Sequence, residues 1–167
     1  MLLSHLESIF RALNEASVRY LVVGGIAVAA HGHPRYTADL DLVIALEAGN
    51  AEKAIRVLMA YGYVPLAPVA PMDFANADAR RRWVEEKGMM VFQMRSEEMQ
   101  ETCIDLFIEE PFDFASEYAA APRLELVVGQ QVPVVTYETL IAMKRRAGRV
   151  RDLDDIKNLE QGRDVDL

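Results

Sequence analysis

Cysteine is almost missing from this 167-residue chain: Cys103 is the only one, so no disulfide can form within it. Histidine is nearly as scarce, with three residues. His31 and His33 stand in no spacing with Cys103 that matches a structural zinc site, and His5 is remote, which argues against zinc. No apolar run is long enough to span a bilayer and no secretory leader is visible, so a cytoplasmic protein without membrane attachment is the expectation. Internal repeats and low-complexity tracts are absent. Basic residues are outnumbered, 18 to 26, for a net charge of −8, which argues against a general nucleic-acid coat protein. A local basic patch of Arg80, Arg81, Arg82, Lys144, Arg145 and Arg146 is still able to hold one RNA end against that overall charge. Neither G-x-x-x-x-G-K-[ST] nor G-x-G-x-x-G occurs. What the chain does have is 51% hydrophobic residues, enough for a proper core in one domain spanning residues 1–167.

The most informative stretch runs from Tyr20 to Leu46, where two glycines close one apolar strand and two aspartates open another. Asp39 and Asp41 lie at i and i+2 of a strand, so their carboxylates share one face, roughly 6 to 7 Å apart along the strand. Two like charges so placed repel unless a cation sits between them. Magnesium fits, because it takes one or two carboxylates and leaves its other positions to water and substrate phosphates; two solvated aspartates at a strand mouth are the plain alternative. Upstream, Gly24-Gly25 breaks the strand from Val18 to Val23, and Ile26 to His31 begins a tightly packed helix. A glycine turn into a helix start lets backbone approach an anion and offers it free N–H groups. A simple tight turn is the other use of such a pair. His31 and His33 line the loop leading to the aspartates, within reach of a phosphate.

Gly24-Gly25 followed by Asp39-Leu40-Asp41 resembles the nucleotidyltransferase superfamily, of DNA polymerase beta-like fold. More narrowly, GGIAVAAHGHPRYTADLDL looks like the bacterial branch of AbiEii-type toxins, in which an Arg and a Ser or Thr precede the carboxylates, here Arg35 and Thr37. The C-terminal segment LIAMKRRAGRVRDLDDIKNL resembles the same branch, with Lys144 and Arg151-Asp152-Leu153-Asp154-Asp155. The middle of the chain, roughly from Pro65 to Thr102, resembles nothing placed. The resemblance implies an α/β (α+β) fold, a mixed sheet flanked by helices. It also implies a site in which Asp39 and Asp41 hold one or two Mg2+ or Mn2+ ions, while Gly24, Gly25, Arg35, Thr37 and Lys144 bind the nucleotide. A third metal-binding carboxylate is expected to help deprotonate an acceptor hydroxyl. Asp105 is chosen, because TCIDLFIEE reads as a strand with Cys103, Asp105 and Phe107 on one face. Asp152 and Asp155 are its rivals, although Asp155 shares a helix face with Leu159 and can simply pair. The reaction implied is transfer of a nucleoside monophosphate from an NTP to a tRNA 3′ end or a protein hydroxyl, in a toxin–antitoxin or phage-defence system. The alternative is a degenerate, non-catalytic relative acting as an antitoxin, regulatory or nucleotide-binding module.

The remaining pattern predicts helices over Leu2 to Ala16, Asn50 to Tyr61 and Asp73 to Glu86, and others from Tyr137 and from Asp152. Strands are predicted over Arg19 to Val23 and Leu40 to Ala45. Hairpins are predicted for Met89 to Arg95 with Thr102 to Glu109, and for Leu124 to Val128 with Gln131 to Val135. Thr136 reads as an N-cap, and Lys144 stands beside the apolar stripe of its helix, placed to reach a triphosphate. The arginines that follow read as a solvated face with ordinary pairs. Trp83 is expected in the core rather than against a base. Apolar residues between Val64 and Met72 favour a homodimer, the Pro65 to Met72 loop is where a non-catalytic antitoxin or regulatory subunit would pair, and a toxin is expected to have an antitoxin partner.

Overall fold

The computed structural model describes residues 2–165, with side chains through residue 162. Its centre is a five-stranded sheet in the order β1-β2-β5-β4-β3, built from β1 (Tyr20–Val22), β2 (Asp39–Ile44), β3 (Tyr63–Pro65), β4 (Val91–Ser96) and β5 (Cys103–Phe107). β2 and β5 run parallel, while every other neighbouring pair is antiparallel. A separate hairpin, β6 (Arg123–Val127) with β7 (Gln130–Pro133), touches the β1 edge where Val135 N–H donates to Val22 O at 3.0 Å. The mixed sheet flanked by helices is the architecture anticipated from the sequence.

Alternation explains how the sheet is oriented. In β2 the residues Leu40 and Leu42 are buried while Asp39 and Asp41 are half-buried, and β5 repeats the pattern with Ile104 and Leu106 against Cys103, Asp105 and Phe107. The apolar set packs on helices α1 (Leu3–Glu15) and α3 (Ala48–Ala60), which bury Leu6, Ile9, Phe10 and Leu13, and Ala54, Ile55 and Leu58. Each such side chain contributes about 1.5 to 3 kcal/mol on burial. Leu2, the first residue of the predicted helix, precedes α1 and is exposed. Helix α3 begins two residues before the predicted Asn50.

The helix predicted over Asp73 to Glu86 divides in two. Pro71–Ala75 forms a 3₁₀ turn, and α4 (Ala77–Lys87) starts afresh because Asn76 accepts hydrogen bonds from the Asp78 and Ala79 N–H groups at 2.9 and 3.0 Å, an N-cap that interrupts the run. Trp83 turns inward and stacks on Phe92 with ring centroids 5.3 Å apart, as expected of a core residue. Two elements had no prediction. β3 is three residues long and ends in Pro65, a proline at a sheet edge. The seven-residue helix α5 (Phe114–Ala120), capped by Asp113 accepting from Ser116 N–H at 2.8 Å, is too short for a periodic signal.

On the face that carries the aspartates lies α2 (Gly24–Ala30), followed in the chain by helices α6 (Tyr137–Ala147) and α7 (Val150–Val165). Thr136 caps α6 as anticipated, accepting from Thr139 N–H at 3.3 Å. α7 begins at Val150, two residues earlier than predicted.

Candidate active site

Strand register brings the chosen carboxylates together. Asp39 lies opposite Cys103, and Asp41 opposite Asp105, across the parallel pair β2·β5, so three carboxylates share one sheet face on two adjacent strands. They crowd electrostatically. Burial, then the charges of Asp105 and Asp39, push the Asp41 carboxyl up to about 7, against the lowering effect of a Gly25 N–H bond and the Lys144 charge. Asp105 is also raised, chiefly by burial, although Gln93 Nε2 opposite it on β4 donates to Asp105 Oδ1 at 2.9 Å and favours the charged form.

The glycine turn carries one of these acids directly. Gly24 has φ +63°, and a Cβ there would lie 2.0 Å from Asp41 Oδ2. Gly25 is closed in from the other side, where a Cβ would meet Thr37 Oγ1 at 2.7 Å and Arg35 Nη1 at 3.1 Å. Only glycine lets the start of α2 approach both the carboxylate and the incoming loop so closely. Thr37 in turn donates to Asp39 O at 3.3 Å, tying that loop to the head of β2.

Behind the carboxylates is a buried network of charges. Lys144 is 5% exposed, with Nζ 2.7 Å from Asp155 Oδ2 and 3.1 Å from Asp152 Oδ1. Arg35 grips Asp155 with two bonds, Nε to Oδ1 at 2.7 Å and Nη2 to Oδ2 at 3.0 Å, and the exposed Arg149 reaches in from the surface, its Nε 2.7 Å from Asp152 Oδ2. Burial pushes the Asp155 carboxyl up, but the hydrogen bonds and charges of Lys144 and Arg35 outweigh it and hold it below the usual range; Lys144 and Arg149 do the same for Asp152. Asp152 and Asp155 thus serve as the anchor for Lys144 and Arg35. Lys144 is a held cation whose field reaches Asp41, in place of the free arm expected to extend to a triphosphate.

Other expectations need correcting. Arg80 is buried, donating to Phe74 O at 2.6 Å and Leu46 O at 3.4 Å, so it and Lys144 drop out of the anticipated basic patch. Arg145, by contrast, pairs with Glu160 at the surface, as expected of a solvated helical face. His31 is spoken for structurally: its Nε2 lies 2.8 Å from Val135 O and its ring stands edge-on to Tyr137. The part of Gln93 was missed, because nothing in the sequence pairs it with Asp105 until register is known.

No three His, Cys, Asp or Glu side chains among the described residues converge closely enough to hold a metal ion by themselves. The donor set is of the open kind, hard carboxylates among which burial and then mutual repulsion raise Asp41, which suits a hard cation completed by phosphate oxygens. Among the described residues no helix is long and apolar enough to cross a membrane.

A mixed sheet with an Asp-x-Asp strand beside a glycine-opened helix defines the nucleotidyltransferase fold, and solved structures of that fold superpose on this chain. One is ANT(2'')-Ia in complex with adenylyl-2''-tobramycin, at 13% identity and TM-score 0.62, covering 96% of this chain and 88% of that one. Another is the lincosamide antibiotic adenylyltransferase LnuA, lincomycin-bound, at 18% identity and TM-score 0.60, covering 94% and 95%. A third is an antigenic nucleotidyltransferase-like protein from Paracoccidioides brasiliensis, at 20% identity and TM-score 0.54, covering 94% and 74%. No curated protein sequence matches. Residues 9–167 match the family model described as nucleotidyl transferase AbiEii toxin, type IV toxin–antitoxin system. The chain belongs to that family, and hence to an enzyme class, the nucleotidyltransferases.

Proposed function

We propose that this protein transfers a nucleoside monophosphate from an NTP to a hydroxyl acceptor and is the toxin of a toxin–antitoxin pair. The observation that carries the reading is the meeting of Asp39, Asp41 and Asp105 on one face of β2 and β5, with Gly24 packed on Asp41. The family match supports it independently.

In this reading Asp39 and Asp41 would hold a divalent ion such as Mg2+ or Mn2+, with Asp105 left to the acceptor. Bound there, the ion supplies charge neutralisation of the phosphates and a fixed coordination geometry. The backbone at Gly24-Gly25 takes the phosphates of the NTP, and the cations Arg35 and Lys144, rigidly held by Asp155, set a positive field behind them. Asp105 accepts the proton of the acceptor hydroxyl. Burial raises its basicity above that of an ordinary carboxylate, and the Gln93 hydrogen bond fixes its orientation. The acceptor oxygen then bonds to the α-phosphorus as the bond to the bridging oxygen breaks, and pyrophosphate leaves. Positioning and electrostatics supply the catalysis, so no protein nucleophile is required.

The test is incubation of the protein with α-labelled NTP, magnesium or manganese, and a mixed pool of tRNA and cell protein. Label is expected in an acceptor with the wild type and not with the Asp39→Asn/Asp41→Asn variant. Equal labelling by both refutes the assignment. NTP binding with no transfer to either pool favours the non-catalytic module instead.

A further inference from the structure

The carboxylate face of the sheet is unequally occupied. On the Gly24-Gly25 side of Asp41 stand α2 and the cations Arg35, Lys144 and Arg149, all committed to neighbours. On the other side the same face continues from Asp105 onto β4 and β3. Gln93 stands opposite Asp105, and Leu66 N–H bonds to Gln93 O at 2.9 Å. One row along, Val64 is opposite Arg95, which lies on the same face as Gln93 and whose charge is felt at Cys103. Alternation leaves this face open. Phe92 and Met94 are fully buried on the reverse of β4, whereas Gln93 is half-buried and Arg95, Val64 and Leu66 are exposed.

Arg95 is the cation of this open face. Its guanidinium makes no hydrogen bond or ion pair among the described residues. As the diagonal neighbour of Asp105 across an antiparallel pair, its Cβ is roughly 7 to 8 Å from that of Asp105, a span a guanidinium easily bridges. An in-line transfer sets the acceptor oxygen opposite the leaving pyrophosphate at the reacting phosphorus, and the transferase reading puts that pyrophosphate at the glycine turn. We propose that the acceptor lies over β4 and β3, with Arg95 holding a phosphoryl group adjacent to the hydroxyl that Asp105 deprotonates. This rests on the transferase reading and names the acceptor side of the same site.

The acceptor chemistry is therefore a phosphorylated hydroxyl compound: the 3′-terminal nucleotide of an RNA, or a free nucleotide. Val64 and Leu66 give its base an apolar shelf. Glu97, Glu98 and Glu101, exposed in the turn beyond Arg95, repel further phosphates on that side and confine the anion to the Arg95 position.

Binding separates this from the transferase reading. Fluorescence anisotropy measures a short 3′-hydroxyl single-stranded RNA on wild type and on Arg95→Ala, Arg95→Glu and Arg95→Lys. A nucleoside 5′-monophosphate and the phosphate-free nucleoside serve as competitors. Arg56→Ala, an exposed arginine of α3, is the control. Arg95→Glu is expected to weaken RNA binding at least tenfold with NTP binding unchanged, Arg95→Lys to retain most of it, and the nucleoside not to compete. Competition by the monophosphate as strong as by the RNA assigns the free nucleotide as the source, and weak competition assigns the RNA end. Equal binding by Arg95→Glu, no binding by wild type, or labelling confined to protein acceptors overturns the proposal. Failure of wild type to transfer label with this binding intact strikes the catalytic reading instead.

Discussion

Replacing Gly24 with alanine tests the contact on which the site is built. The new Cβ would sit 2.0 Å from Asp41 Oδ2, 2.5 Å from Cγ and 2.8 Å from Cβ, and the residue has φ +63°. Holding alanine in the left-handed region costs roughly 1 to 2 kcal/mol. The Asp41 carboxylate must also swing away and give up its bond from Gly25 N–H, worth about 1.5 to 3 kcal/mol for a charged acceptor. Lower entropy of the unfolded alanine chain offsets about 0.4 to 1 kcal/mol. The net loss is about 2 to 4 kcal/mol, against typical stabilities of about 5 to 15 kcal/mol, so the variant folds with its melting temperature lowered by roughly 4 to 16 °C. Asp41→Gly removes all three contacting atoms. In that background Gly24→Ala is expected to cost only the backbone term, which a double-mutant cycle by urea unfolding reads as a coupling of about 1.5 to 3 kcal/mol. Equal cost of Gly24→Ala in both backgrounds would refute the close approach. NTP binding is expected to be lost in every member of the cycle except wild type.

Two further perturbations probe the charges. Because the folded-state carboxyl of Asp41 sits at about 7, above the unfolded value of 3.8, its ionisation costs stability as pH rises from about 4 through 7 and the cost is complete above that. Asp41→Asn is therefore expected to be more stable than wild type at pH 8 without divalent ions, by on the order of 4 kcal/mol, with no advantage at pH 4; magnesium added at pH 8 should narrow the gap, and a gap independent of pH would contradict the account. Asp155→Ala leaves Arg35 and Lys144 short of a buried partner and is expected to lose about 3 to 5 kcal/mol in urea unfolding at pH 7. That loss should shrink as pH falls below about 4, where the acid begins to protonate in the unfolded chain, and go on shrinking through the depressed folded-state value.

How much of this was readable before the structure depends on whether the information was local. Asp39 and Asp41 declare a shared face by their spacing, and Asp105 follows from the alternation of Cys103 and Phe107 around it, so the carboxylates were legible. Period-two alternation also fixed the β4–β5 hairpin, and with it the side of the sheet on which Asp105 lies. What escaped were facts of register and tertiary pairing. Gln93 looks like any polar strand residue until β4 lies beside β5. Lys144 sits correctly at the edge of its apolar stripe, but its partners Asp152 and Asp155 come from the next helix, which folds back on α6 and withdraws the ammonium from solvent. Arg80 reads as one of three surface arginines, yet the Asn76 cap sets the phase of α4 and turns it inward to two backbone carbonyls. β3 was hidden by Pro65 and its three-residue length, and its place at the sheet edge completes the open face beside Asp105.

The central claim is that the carboxylates of β2 and β5 divide the work, Asp39 and Asp41 holding the metal-bound nucleotide and Asp105 activating the acceptor. Asp105→Asn, assayed in one set of samples for magnesium-dependent NTP binding and for transfer of α-label, tests it most directly. The account predicts that binding stays within about twofold of wild type while transfer falls by at least a hundredfold, the scale of a lost general base. Transfer at the wild-type rate, or loss of NTP binding together with transfer, would contradict it.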